Sequence, residues 1–202
     1  PKKRNLIITG VLPINASGTG DFLIYLKYNK DFDIALRPFP FIDWLKSLIR
    51  IILSKDFKST KNIISSTIIY FMEIFPIVNN FPFKKNIYSK IILFHPQSLS
   101  YEFVNSIVPK KIINGIYILD NSSFCYASYN WHFKDPFSPC KLCLEDSNYA
   151  LDNNCKDYFN NNFNDYLAFK RNLLLGNFGE IIVQNHSHQK LWSLLSKGKE
   201  SK

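Results

Sequence analysis

The chain has 202 residues, 46% hydrophobic and 20% charged, a composition that supports one folded domain with a real core and excludes disorder, collagen and coiled coil as readings of the whole. Lysine and arginine outnumber aspartate and glutamate 25 to 16. The resulting net charge of +9 predicts an anionic partner without choosing among nucleic acid, acidic lipid and a phosphorylated ligand.

The chain opens with a basic cluster at 1–4, but the apolar run after it, 6–11, is too short for a signal peptide. That run reads instead as a buried strand, followed by a loop rich in small residues at 13–20 and a helix from Asp21 to 29. A second strand is expected at 32–36, closed by Pro38 and Pro40. Residues 41–54 follow as a helix whose polar positions, Asp43, Lys46, Ser47, Arg50 and Ser54, fall on one narrow stripe. A similar helix covers 60–75 and is expected to end at Pro76. The stretch 63–78 is the most apolar of the chain, yet Ser65, Ser66, Thr67, Glu73 and Pro76 break it below the ~18–20 residues of a membrane span.

The second half repeats the alternation. Strands are expected at 90–94, 114–120 and 180–184, and helices at 99–107, 165–175 and 187–195, with Gly176 ending one helix and Ser187 capping another. The segment 121–158 reads as irregular, the asparagine-rich 160–164 as a surface loop, and 196–202 as a frayed tail. Apolar strands alternating with helices predict an α/β fold with a mainly parallel sheet, as one domain over 1–195 with a cysteine-bearing insertion at 121–158.

Several residues in this plan carry chemistry. Ser17, Gly18, Thr19 and Gly20 lie where the first strand hands over to a helix, and helix amides there attract anions. The dinucleotide fingerprint is incomplete, because Leu23 stands where its third glycine belongs, and no Gly-Lys-Ser/Thr follows for a Walker A loop. His95 follows a strand directly, Asp120 ends one, and His186 and His188 follow the last; all are placed to meet a phosphate or a hydroxyl proton. Cys125, Cys140, Cys143 and Cys155 fall in one window, as C-x14-C-x2-C-x11-C. The C-x2-C pair fits one turn of a tetrahedral zinc site, with His132 able to replace a cysteine; an iron–sulfur cluster, a disulfide and free thiols are the alternatives. The two helices between 41 and 75 combine wide apolar faces with Lys46, Arg50, Lys55, Lys58, Lys61 and Trp44, a pattern that suits an acidic membrane surface as well as packing over a sheet. The basic excess is otherwise scattered, without a finger histidine pair, an RNA-recognition signature or a dense Lys/Arg run, so nucleic acid is not expected.

Three stretches together resemble the amino-terminal half of a GT-B glycosyltransferase of the family 4 type. They are Asn5-Leu-Ile-Ile-Thr-Gly-Val-Leu-Pro with Ser17-Gly-Thr-Gly-Asp, then Asp120-Asn-Ser-Ser-Phe-Cys125 with Pro139-Cys140-Lys-Leu-Cys143, and Ile181-Ile-Val-Gln-Asn-His-Ser-His-Gln-Lys-Leu-Trp192. The resemblance implies a Rossmann-like three-layer domain that holds the sugar or lipid-linked acceptor, while a second Rossmann-like domain, in cis or in trans, holds most of the nucleotide-sugar donor. It implies that 17–20 and His186 line the cleft and that His95 and Asp120 serve as acceptor contacts or a base, with any zinc structural. Such enzymes often hold the donor through two glutamates about eight apart, and among Glu73, Glu102, Glu145, Glu180 and Glu200 no pair has that spacing. The resemblance also implies a cytoplasmic protein, peripheral on the inner face of a membrane. Two readings from other classes stand beside it: a non-enzymatic α/β module that binds an anionic ligand or a membrane, and a zinc-stapled nucleic-acid binder.

Overall fold

The computed structural model describes residues 4–14, 18–28, 32–38, 40–79, 88–119, 121–127, 131–132, 135–139, 142–157 and 159–197. Seven strands occur among them: β1 (Asn5–Thr9), β2 (Phe32–Leu36), β3 (Ile91–Phe94), β4 (Gly115–Ile118), β5 (Trp131–His132), β6 (Asp135–Pro139) and β7 (Glu180–Val183). All but the antiparallel pair β5–β6 join one parallel sheet in the order β2–β1–β3–β4–β7. The inner strands β1 and β3 are nearly continuous runs of buried branched or aromatic side chains, as a strand covered on both faces requires.

One face is covered by α1 (Gly18–Tyr28), whose Leu23 meets Ile7, Ile34 and Phe94. The other carries α3 (Phe57–Ile69) with its continuation, α6 (Tyr101–Ile107) and α9 (Phe163–Leu174). There Tyr101, Tyr166 and Phe169 stack over Leu6, Ile8, Leu93 and Ile116. Beyond them α10 (His186–Lys197) lays Leu195 and Trp192 against Ile118. The chain thus winds outward from β1 to β2 through α1, then back to β3 through helices on the opposite face, so the strand order reverses between β1 and β3. This is the Rossmann-like three-layer arrangement expected from the sequence.

Local departures have physical causes. Gly18, Thr19 and Gly20 form the first turn of α1 instead of a loop before it. Pro76 does not stop its helix; a π-helical turn, Tyr70–Ile74, precedes α4 (Phe75–Val78), and the shifted ladder there tolerates the missing proline N–H. The cap of α10 is Asn185, whose side chain accepts from His188 N at 2.9 Å, and not Ser187. The helix itself runs on through residue 197, and 198–202 lie outside the described residues. The insertion is not wholly irregular: besides β5 and β6 it holds the one-turn helices α7 (Leu142–Glu145) and α8 (Tyr149–Asp152). Asn161, in the supposed surface loop, is buried. Gly176 does end α9, at φ +73°.

α2 (Phe41–Leu53) differs from the other long helices of the described residues. It packs against α3 and buries none of its thirteen residues. No helix among the described residues is long and apolar enough to cross a membrane.

Candidate functional site

In an open parallel sheet, ligands bind outside the carboxyl ends of the strands where the order reverses. Here that point lies between β1 and β3, and the chain is unusually tight there. A side chain on Gly10 would put its Cβ 2.1 Å from the Ser98 carbonyl oxygen, so only glycine lets the end of β1 touch the turn that follows β3. Gly10 N donates to Ser98 Oγ at 3.2 Å, and Ser98 Oγ donates to the His95 carbonyl at 2.8 Å. His95 itself is half-buried and left-handed, with φ 55° and ψ 67°, ahead of the one-turn helix α5 (Pro96–Leu99). Ser100, five residues on, also has positive φ, at 66°. Two non-glycine residues in this region so close together store backbone strain, which persists only where surrounding contacts impose it.

Those contacts come from both sides. From the end of β2, Arg37 donates to the Leu99 carbonyl, sits 4.1 Å over the Phe103 ring and bonds Thr9 O through its backbone at 2.9 Å. From the insertion, the buried Asp157 accepts from Gln97 Nε2, Asn161 N, Asn161 Nδ2 and Phe159 N. Asn161 in turn bonds Gln97 O, the Tyr101 amide and, through its own carbonyl, the Tyr126 hydroxyl. The loop that carries His95 is therefore clamped, with its ring edge-on to Phe159 at 6.0 Å. Arg37, Asp157 and Asn161 escaped the sequence reading. The one available signal was Asp157 four residues before Asn161, a spacing at which an aspartate can cap its own turn.

The remaining expected site residues are spread along the same edge. Gly18 is exposed, Thr19 half-buried and Gly20 buried, all at the amino end of α1, where backbone amides face the crevice edge. Ser17 and Asp120 lie outside the described residues. His186 is exposed in the first turn of α10, its Nδ1 3.2 Å from Gln189 Oε1. A surface depression of about 380 Å³ beside it is lined by His186, Ser187, Gln189, Lys190 and Ser193, all of one helix, so among the described residues no second element converges there. His188 is buried against Phe124, a packing position.

Among the cysteines, Cys125 and Cys143 are both buried and not joined by a disulfide, and the neighbouring Cys125 thiol together with burial pushes the Cys143 thiol up. Cys155 is half-buried, Cys140 lies outside the described residues, and His132 falls in β5. No group of three metal-ligating side chains forms among the described residues. Sequence reading also missed what faces the pair. Lys170, buried on α9, donates to the Cys143 carbonyl and to Ser147 Oγ at 2.7 Å. Burial lowers its pKa, while the two thiols act to raise it. One turn earlier, the fully buried Tyr166 has no hydrogen-bond partner for its hydroxyl among the described residues.

The last feature is a surface. The α2–α3 hairpin exposes Phe41, Ile42, Ile49, Leu53, Phe57 and Ile68, with Leu53 and Phe57 about three-quarters exposed, at 76% and 75%. Lys46, Arg50, Lys55, Lys58 and Lys61 are exposed around them. Scattered exposed apolar residues are ordinary; a contiguous helical face of them marks an interaction site. Comparison of the chain with protein-family models, with curated proteins and with solved structures returned no match.

Proposed function

We propose that this chain is the acceptor-side half of a nucleotide-sugar glycosyltransferase of the GT-B kind, working on an acceptor presented at an acidic membrane surface. The observation that carries the reading is the origin of α2. Arg37 leaves β2 bonded to the last residue of β1, and Phe41 begins α2 four residues later. The uncovered apolar helix therefore starts from the same sheet edge as the β1–β3 crevice. An acceptor anchored in lipid could present its polar end to that crevice while its tail stays in the bilayer.

In this reading His95 is the group that holds or takes the proton of the acceptor hydroxyl, on a loop whose backbone is held by Ser98 and, through Gln97, by Asp157. The amino end of α1, with Gly18 and Gly20, admits an anionic group of the acceptor close to the backbone amides. Ser17, Asp120 and His186 keep the cleft roles that the resemblance implies. The donor is held mostly by a second Rossmann-like domain, and this chain supplies the facing wall.

The test uses vesicles first. Leu45 and Ile49 are exposed, so replacing both by aspartate leaves the core intact. The native chain should sediment with phosphatidylglycerol-rich vesicles, less so in high salt, and not with phosphatidylcholine alone. The double variant should lose at least ~10-fold in partitioning, since each fully inserted side chain is worth roughly 1.5–3 kcal/mol. Calorimetric titration with lipid-linked saccharides and nucleotide sugars then reads the acceptor. Absence of vesicle binding removes the membrane part of the proposal. Vesicle binding without heat from any sugar compound replaces it with a non-enzymatic membrane-binding module.

A further inference from the structure

We propose that β7, the open edge of the parallel sheet, is where two copies of this chain join, pairing antiparallel about a two-fold axis at Ile182. The inference goes beyond the glycosyltransferase reading and does not depend on it.

The five-stranded sheet has two edges, and they are built differently. At β2 the edge is covered: Ile34, Ala35 and Leu36 have no exposure, and α3 packs against the strand. At β7 none of the four residues is buried; Glu180 is exposed, and Ile181, Ile182 and Val183 are half-buried. The ladder to β4 determines which backbone groups look outward. Glu180 N bonds Asn114 O at 3.0 Å and Gln184 N bonds Ile118 O at 3.3 Å. The groups of 180, 182 and 184 therefore turn toward β4, and those of Ile181 and Val183 turn away from it. Among the described residues no hydrogen bond reaches these outward N–H and C=O groups. Exposed edges are ordinarily blunted by a proline, a lysine or a bulge. β7 reads Glu-Ile-Ile-Val in regular register and has none of the three.

Two observations choose a second copy as the occupant. The first is register. Under a two-fold axis Ile181 faces the partner's Val183 and Val183 faces the partner's Ile181, and each pair exchanges two hydrogen bonds. Ile182 then stands opposite the partner's Ile182, a β-branched pair at the close spacing of non-hydrogen-bonded positions. One step out, Glu180 stands opposite the partner's Gln184, so a carboxylate meets an amide donor and not a second carboxylate. Lys90 of its own chain already matches the Glu180 charge, at 2.7 and 2.9 Å. No like charges oppose each other along the pairing. Tyr117, the register partner of Ile182 on β4, is half-buried on the same face, so one apolar row continues across the axis.

The second observation is closure. Joining β7 to β7 removes both open edges and leaves a ten-stranded sheet bounded by two covered β2 strands. An unrelated strand added to β7 would bring a new open edge of its own. The α2–α3 hairpin packs at the β2 end of the sheet, so both copies keep it exposed. Four backbone bonds and one side-chain row make a small contact, and the expected dimer is of the reversible kind.

The test is sedimentation equilibrium of the full chain in reductant, over a concentration series up to its solubility limit. The native chain should pass from monomer to dimer and no further. Ile182→Lys sets two ammonium groups opposite each other and should weaken the dimer at least ~10-fold. Gln184→Glu places carboxylates opposite Glu180 and should weaken it too, whereas Gln184→Lys places opposite charges there and should tighten it about 3-fold. Gln184 is exposed, so its two variants decide the matter if Ile182→Lys does not fold. Ile182→Cys, oxidised in the dimer, should link to the same position of the partner, as read by non-reducing peptide mapping. A chain that stays monomeric throughout overturns the proposal, and so does association that continues beyond the dimer. So does a dimer whose affinity moves the same way in both Gln184 variants or ignores Ile182→Lys. A dimer abolished instead by aspartate at Leu45 and Ile49 would put the contact on the hairpin and equally overturn it.

Discussion

Asp157→Ala removes one carboxylate and strands four donors at once. Oδ1 accepts from Asn161 N at 2.7 Å, Asn161 Nδ2 at 2.6 Å and Phe159 N at 3.1 Å, and Oδ2 accepts from Gln97 Nε2. The side chain is buried, at 4% exposure, so these donors do not regain water without opening the insertion. An unmatched buried donor costs roughly 1–3 kcal/mol, and single substitutions rarely exceed ~4–5 kcal/mol because the structure relaxes. The expected loss is therefore about 4 kcal/mol, a large part of the ~5–15 kcal/mol that holds a typical domain folded. Asp157→Asn separates hydrogen bonding from shape. Its amide oxygen can keep the three Oδ1 bonds, and Gln97 can turn its own amide to accept from the new NH₂. What goes is charge assistance, so the loss should be about 1–2 kcal/mol. Urea unfolding reads both, as a shift in midpoint with unchanged slope. Equal losses in the two variants, or an alanine loss below about 1 kcal/mol, would show that the carboxylate does not carry the clamp and that the His95 loop is held by other means.

Gly10→Ala should cost about 1–3 kcal/mol in thermal unfolding, because a backbone carbonyl 2.1 Å from the new Cβ must move; Gly18→Ala, with open space at its Cβ, should be neutral or slightly stabilising, and the reverse order would refute the close approach of Gly10 to Ser98. Alkaline pH should unfold the chain from within. Burial raises the hydroxyls of Tyr70, Tyr88, Tyr126 and Tyr166 above the ordinary 10.0. Above that pH the unfolded chain gives up these protons while the folded chain keeps them, so stability is intact below pH 10 and falls as the pH climbs past it. Phenolate absorbance from the four should rise together with loss of circular dichroism; a rise well before unfolding would show that these rings are open to water.

The sheet was legible because its strands are short apolar runs separated by helical spacing, and buried parallel strands have few other ways to look. The element at 32–36 was expected and found with the same bounds. Helix boundaries were less legible where local and tertiary preferences compete. Gly18 and Gly20 argue for a loop in isolation, yet α1 absorbs them in its first turn, where no side chain is needed and Gly20 is buried. Pro76 argues for a helix end, and the π-helical turn before it supplies the slack that a regular helix lacks. The clamp was illegible for a different reason. Asp157, Asn161 and Lys170 are polar residues in polar stretches, and nothing in one dimension distinguishes a buried carboxylate from a solvated one. Their meaning comes from Gln97 and Cys143, sixty and twenty-seven positions away.

The charge and the exposed helix are best understood as one feature. Between 41 and 61 the chain carries five basic and two acidic residues, so about a tenth of its length holds a third of the net +9. Those residues interleave with Ile42, Leu45 and Ile49 of α2, a helix that buries none of its residues, and with Phe57 at the start of α3, all four exposed. A face meant for the sheet would have its charges on the far side and its apolar residues hidden; α3, one layer closer, does bury Ile63 and Ser66. A face meant for a protein partner would be depleted of lysine at its centre. Lysine with an apolar stem and a charged head suits an interface where hydrocarbon and anionic head groups lie a few ångströms apart. Each such residue near an acidic leaflet is worth about 1 kcal/mol, and the apolar side chains add to it only if they enter the bilayer. The two contributions therefore separate by salt: screening should weaken attraction through Lys46 and Arg50, whereas insertion of Ile42 and Leu45 should persist.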